Sequence, residues 1–199
     1  MNFAEIYNEV LGIVKRPDLQ ERIESAIRAA TLKMHQSDFY YKDMIEVPIQ
    51  FDTEQCLQQF IPTDVLPSFR KAKYIRFWYG DVDGAPGPFL EPIQIENSMD
   101  SYNYFRENVF YMAGANLQIR TNPAVKRVLF GAYVHPTIVP NTSYKSWIAD
   151  EYPYAIIYEA ARTVYRSIGF SEQANEHAQL AAEVLSEIRL SSVDDIPLT

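Results

Sequence analysis

Apolar residues recur at helical spacing at both ends of the chain and at strand spacing in its middle, and this change of period limits the fold more than any single motif. Phe3, Ile6, Tyr7, Val10, Leu11 and Val14 form one stripe, opened by Asn2 and Glu5 at the spacing of a reciprocal capping pair. The pattern predicts a helix from Phe3 to Lys15. Pro17 breaks it, and Asp18 is placed to cap or open a second helix with Leu19, Ile23, Ala26, Ile27, Ala30 and Met34 on one face. After His35 the period shortens: Val47, Ile49 and Phe51 alternate with polar neighbours. Further strands are expected at Tyr74–Tyr79, Phe89–Ile95, Val109–Met112, Leu117–Arg120 and Arg127–His135, with a tight turn at Gly114–Asn116 and a short helix at Ser98–Glu107. From Ser143 the helical period returns through Trp147, Ile148, Tyr154, Ile157, Tyr158, Ala161, Val164, Tyr165 and Ile168, and Gly169 ends it. Ser171 is expected to cap a last helix with Ala174, Ala178, Ala181, Val184, Leu185 and Ile188 turned inward.

Neither helical pair can bury its stripe alone, so the two must meet. The expected fold is α+β: a four-helix body formed by the N- and C-terminal helical pairs, with an inserted antiparallel β-rich module. The divisions are residues 1–38 for the first hairpin, 39–142 for the insert, 143–190 for the closing pair and 191–199 for a short, loose acidic tail. A chain of 199 residues has room for that and not for two unrelated full domains.

Eighteen basic against 26 acidic residues give a net charge of -8, which opposes binding through phosphate neutralisation. Cys56 has no second cysteine to pair with, and no basic residue beside it to stabilise a thiolate, so a buried or half-buried thiol is expected. His35, His135 and His177 fall on three different elements without metal-ligand spacing, and the few glycines form no phosphate loop. No catalytic residue, cofactor or metal site is expected. Without a basic leader or a long apolar run, the chain reads as soluble and unsecreted, with no membrane partner.

Two other chemistries deserve weighing. Asp150, Glu151 and Glu159 could supply a carboxylate pair for glycan hydrolysis, but Asp150 and Glu151 before Pro153 also suit the start of a helix. Arg70, Lys71, Lys73 and Arg76 beside Tyr74, Phe77, Trp78 and Tyr79 could stack on nucleic acid, yet the alternation is that of a strand with one buried and one contact face. Aromatics with arginine favour a protein interface there.

The order of elements and several local runs resemble the head-to-tail adaptor (connector) proteins of tailed bacteriophages, of the tail tubular A type. The resemblance rests on Ala26-Ile27-Arg28-Ala29-Ala30 leading into His35-Gln36-Ser37-Asp38-Phe39-Tyr40, and on the aromatic β insert. It continues in the closing unit, from Asp150-Glu151-Tyr152-Pro153 through Glu159-Ala160-Ala161-Arg162 to Gly169-Phe170 and the helix Glu172–Leu190. It implies a structural virion protein at the head–tail junction, made in the host cytoplasm: a ring, usually of twelve copies, between the portal and the tail tube or nozzle, through which double-stranded DNA passes without specific binding. Portal contact is expected at Ser191, Ser192, Val193, Asp194, Asp195, Ile196, Pro197, Leu198 and Thr199. Tail contact is expected at the projecting turn of Gly80, Asp81, Val82, Asp83, Gly84, Ala85, Pro86, Gly87 and Pro88. Glu172, Glu176, Glu183 and Glu187, with Asp194 and Asp195, are candidates for a negative channel wall that repels phosphate, or for a solvated helix face.

Overall fold

The computed structural model describes residues 1–78, 86–98, 105–138 and 144–194. Its elements run α1 (Phe3–Val14), α2 (Gln20–Gln36), β1 (Met44–Phe60), α3 (Pro62–Val65), β2 (Phe69–Trp78), β3 (Pro86–Phe89), β4 (Glu91–Pro92), β5 (Val109–Ala113), β6 (Asn116–Val134), α4 (Trp147–Glu151), α5 (Pro153–Ser167) and α6 (Ser171–Asp194). Mixed α+β is therefore the class. The chain forms two compact units: a helical one from Met1–Asp43 and the chain from His135 onward, and a sheet unit from Met44–Val134.

In the helical unit, Asn2 Oδ1 accepts from the Glu5 N–H at 2.9 Å while Glu5 Oε2 accepts from the Asn2 N–H at 2.8 Å, so both exposed donors at the start of α1 are satisfied. Lys15 closes the helix in the left-handed region, at φ 55°. The junction that follows differs from expectation. Pro17–Leu19 is a 3-10 turn, and the Asp18 carboxylate accepts from Arg16 Nε and Nη2, both at 2.8 Å, so it caps nothing and α2 begins at Gln20. Helix α5 is the centre of the unit, with α1, α2, α4 and α6 all packed on it. Ile6, Ile23, Ile27, Ile148, Ile156, Ile157 and Ile188 are fully buried there, each contributing roughly 1.5–3 kcal/mol. Gly169, at φ 83°, ends the α5 run as expected. Ser171 is the first helical residue of α6 rather than its cap, since the Ala174 N–H already reaches the Phe170 carbonyl. The helix then continues to Asp194, so Ser191–Asp194 are helical and not part of a loose tail.

The sheet unit is organised by two long antiparallel strands, β1 and β6. One edge of β6 pairs with β1 along its length; the other takes β2 over Val128–Val134 and β5 over Asn116–Arg120. Expected separate strands at Leu117–Arg120 and Arg127–His135 are thus one element. Its middle, like that of β1 between Gln50 and Leu57, loses regular register. Register irregularities of this kind exchange which face a strand buries. Val47, Ile49 and Phe51 face the core before the break in β1, and Gln58 and Phe60 after it; Leu117 and Ile119 do so in β6, then Val128, Phe130 and Ala132. Both halves of the sheet therefore serve one core around Phe130.

Other boundaries also moved. Phe89–Ile95 is not a single strand: β3 ends at Phe89, Glu91–Pro92 pairs parallel to β5, and a 3-10 turn starts at Ile95, because Pro88 and Pro92 cannot donate to a ladder. The expected helix Ser98–Glu107 falls largely outside the described residues, and Ser98 and Phe105–Glu107 at its ends are not helical. Instead the Arg106 N–H closes back on the Ser98 carbonyl at 2.9 Å. The hairpin at Gly114, φ 64°, joins β5 to β6 as the sequence indicates.

Candidate functional site

The most organised polar group lies inside the helical unit. His35, in the last turn of α2, is 1% exposed. Its Nδ1 is 2.7 Å from Asp43 Oδ1 and its Nε2 is 2.9 Å from Ser146 Oγ. Trp147 Nε1–H donates to the same Asp43 oxygen at 2.7 Å, and Trp147 stands edge-on to the imidazole. Beside them Tyr144 and Thr31 share a hydroxyl hydrogen bond of 2.9 Å, with Thr31 Oγ1 also bonded to the Ile27 carbonyl. Burial pushes the Tyr144 phenol above its ordinary pKa, and the Thr31 hydrogen bond opposes that rise.

Serine, histidine and aspartate in hydrogen-bonded sequence are the parts of an acyl-transfer site. Here the serine is committed elsewhere: Ser146 Oγ accepts from the Ala149 N–H at 3.1 Å as the N-cap of α4. With Ser146, His35 and Asp43 all buried, Oγ has no route to a substrate carbonyl. What the arrangement does is join the end of α2, the 3-10 turn Tyr41–Asp43 and the start of α4 through buried hydrogen bonds that converge on Asp43 Oδ1 and leave Oδ2 without a partner. The sequence leaves His35 open as a solvated or a hydrogen-bonded histidine, and the structure shows the second; Asp43, Ser146, Tyr144 and Thr31 are not singled out by sequence reasoning. The available signal was that Thr31 and His35 are polar positions on the otherwise apolar face of α2.

The three weighed carboxylates are each occupied. Asp150 Oδ1 takes the Met1 ammonium at 3.0 Å, Glu151 takes Lys42 at 2.6 Å, and Glu159, 5% exposed, takes Lys33 at 2.6 Å and Arg162 at 2.7 Å. Asp150 lies in the first turn of α4 and Glu151 ends that short helix; neither is in the first turn of α5, which Pro153 opens after them. Among the described residues no group of three His, Cys, Asp or Glu is placed to hold a metal ion. Cys56 is exposed on β1, contrary to the buried thiol expected, because it sits in the irregular stretch where the strand leaves its partner.

On the outer face of the sheet unit Ile75 and Phe77 point inward and Tyr74, Arg76 and Trp78 outward, as their alternation indicates; Tyr79 lies outside the described residues. The Tyr74 ring lies on Gly131, where any Cβ would come within 2.5 Å of it, and its hydroxyl donates to Glu46. Arg76 stacks on Phe89 at 4.7 Å and donates from Nε to the Gly87 carbonyl, while Arg127 covers Trp78 at 4.3 Å. Of the rings weighed for stacking on bases, Trp78 is thus already faced by an arginine, and Phe77 is buried.

The comparison with protein families decides the identity. The model of the SU10 adaptor protein family matches residues 1–197. The chain belongs to this family of phage head-to-tail adaptors. No curated protein matches it. In the adaptor, Glu172, Glu176, Glu183 and Glu187 are all exposed on α6. Ser191 is the last turn's anchor, donating to the Ile188 carbonyl at 2.9 Å and accepting from the Tyr152 hydroxyl at 3.0 Å. Ser192–Asp194 continue the helix, and Asp195–Thr199 lie outside the described residues. Of the expected tail-contact turn, Gly80–Ala85 also lie outside them, whereas Pro86–Pro88 belong to β3 and not to a turn. No helix among the described residues is long and apolar enough to cross a membrane.

Proposed function

We propose that this adaptor is a structural ring component, of twelve copies, seated between the portal and the tail tube or nozzle, and that it catalyses no reaction. The observation that carries the reading is membership of the adaptor family over residues 1–197. Four helices, α1, α2, α5 and α6, form the body that repeats around the ring, and the sheet unit reaches the next tail component. Ser191–Thr199 are the proposed portal contact and Gly80–Pro88 the proposed tail contact. Glu172, Glu176, Glu183 and Glu187 are the proposed channel wall; their common exposure on α6 supports it, since like charge repeated by every copy repels passing phosphate. The test is native mass spectrometry of the chain with and without portal, followed by a reconstruction of the head–tail junction. A twelvefold ring under the portal with α6 toward the channel is expected. Monomers alone, in solution and on portal, would overturn the reading.

A further inference from the structure

Two arginines of the helical unit line adjoining hollows and make no ion pair with a carboxylate among the described residues. Arg22 on α2 has one side-chain contact, Ser167 Oγ at 3.4 Å, and Arg166 on α5 has no acidic partner among the described residues. By contrast Arg16, Arg28, Lys33, Lys42 and Arg162 each hold an acid. Between α2 and α5 runs a groove of about 250 Å³, walled by Ser25, Ala29, Thr163 and Ser167 with Arg22 at its rim. The adjoining hollow shares Thr163 and Ser167 and carries Arg166 beside Glu159 and Arg162, which are paired with each other. Short side chains on both walls leave the depth that a helix needs.

The same unit carries a matching ridge. At about 100° per residue, Asn175, Gln179, Ala182 and Ser186 fall on one uncharged stripe of α6, and Glu172 and Glu183 lie directly beside it, with Glu176 and Glu187 turned further away. All eight are exposed. A closed ring of identical copies needs two different faces that fit each other.

We infer that the α2–α5 groove of one copy seats the uncharged stripe of α6 from the next, with Arg22 and Arg166 closing on Glu172 and Glu183 at the seam while Glu176 and Glu187 face the channel. This rests on the ring reading above and specifies its interface: it moves Glu172 and Glu183 from the proposed channel wall to the seam and leaves Glu176 and Glu187 as the wall. Double-stranded DNA is the weaker occupant, because two cations in a groove of Ala, Ser and Thr offer little phosphate neutralisation in a chain of net charge -8.

The experiment uses the full chain, with the oligomer measured by native mass spectrometry in solution and on portal. Arg22→Glu with Arg166→Glu is expected to lower the ring fraction at least tenfold, and adding Glu172→Arg with Glu183→Arg to restore it to within threefold of the parent. Circular dichroism checks folding, and the milder Arg22→Gln/Arg166→Gln pair gives a smaller loss in the same direction. In a Cys56→Ser background, Ala29→Cys with Ala182→Cys is expected to give a ladder of cross-linked copies with a bismaleimide, and neither single change more than a dimer. A parent ring whose amount is unchanged by the arginine reversal, or a reversal that removes DNA retention and leaves the ring intact, overturns the seam alone. A parent that never oligomerises overturns the ring reading as well.

Discussion

The two units handle buried polarity in opposite ways. The helical unit buries Thr31, His35, Asp43, Ser146 and Glu159, whereas the buried polar side chains of the sheet unit among the described residues are Gln58 and Thr121, both at the break in strand register. Gln58 Nε2 donates to the Thr53 carbonyl at 2.7 Å and to the Val125 carbonyl at 3.0 Å, standing in for ladder bonds that the bulged strands do not make. Backbone pairing sets register elsewhere in a sheet. Helices meet only through side chains and can slide by a turn, so a directional set of hydrogen bonds such as Trp147–Asp43–His35–Ser146 can fix how α2 meets α4. Polar atoms are buried in each unit where its backbone leaves position undetermined.

That contrast can be broken from either side. Phe130→Ala, at the centre of the sheet core, is expected to cost about 3–5 kcal/mol in denaturant unfolding, the largest effect. Asp43→Ala leaves the His35 and Trp147 donors buried without an acceptor and is expected to cost about 3 kcal/mol. Asp43→Asn, which keeps the volume and an acceptor, should lose about half as much; equal losses would mean that the negative charge matters and the neutral hydrogen bonds do not. Gln58→Leu removes two hydrogen bonds at the register break and is expected to cost about 1–3 kcal/mol, with exchange of the Val125-region amides accelerated. Gly131→Ala drives the Tyr74 ring off the sheet, at about 1–2 kcal/mol, and is expected to abolish the Tyr74 to Glu46 hydrogen bond, to be checked by NMR of the Tyr74 hydroxyl proton in parent and variant.

The smallest expected effects are in pH dependence. Burial holds the Tyr144 and Tyr40 phenols above their ordinary pKa, so their contribution is full below the ordinary tyrosine range and is lost as pH rises through the elevated value. Tyr144→Phe should flatten part of that alkaline loss in urea midpoints measured against pH. Asp18 runs the other way: the Arg16 hydrogen bond lowers its pKa, so the pair acts above the ordinary carboxylate range and is lost as pH falls through the lowered value. An Asp18 carboxyl signal titrating at the ordinary value would remove that pair from the description of the α1–α2 junction.

How much of this the sequence discloses follows from range. Asn2 with Glu5, Pro153 and Gly169 act within one helical turn, and the stripes of α1, α2 and α5 are local, so those helices and most of their ends are legible. The full length of β1 and β6 is not, because alternation is the signal for a strand and a register break inverts it midway. Asp43 and Ser146 sit in short segments without period, and only the folded chain brings them to His35. The family resemblance, carried by runs such as Ala26–Ala30 and Glu159–Arg162, points to the same kind of adaptor as the family match. The four glutamates are legible as acids on one helix face; Arg22 and Arg166 are not distinguishable in the sequence, since a cation without a carboxylate is a statement about neighbours.

The bond from Trp147 to Asp43 spans 104 residues, and this sets an order of events during synthesis. At ~5–20 residues per second a ribosome needs roughly 5–20 s to cover that interval. All strands of the sheet unit are made by Val134, before Ser146 and Trp147 exist. The first two helices must therefore wait with His35 and Asp43 uncovered while the middle of the chain completes itself, and the first-made part of the molecule is among the last to be finished.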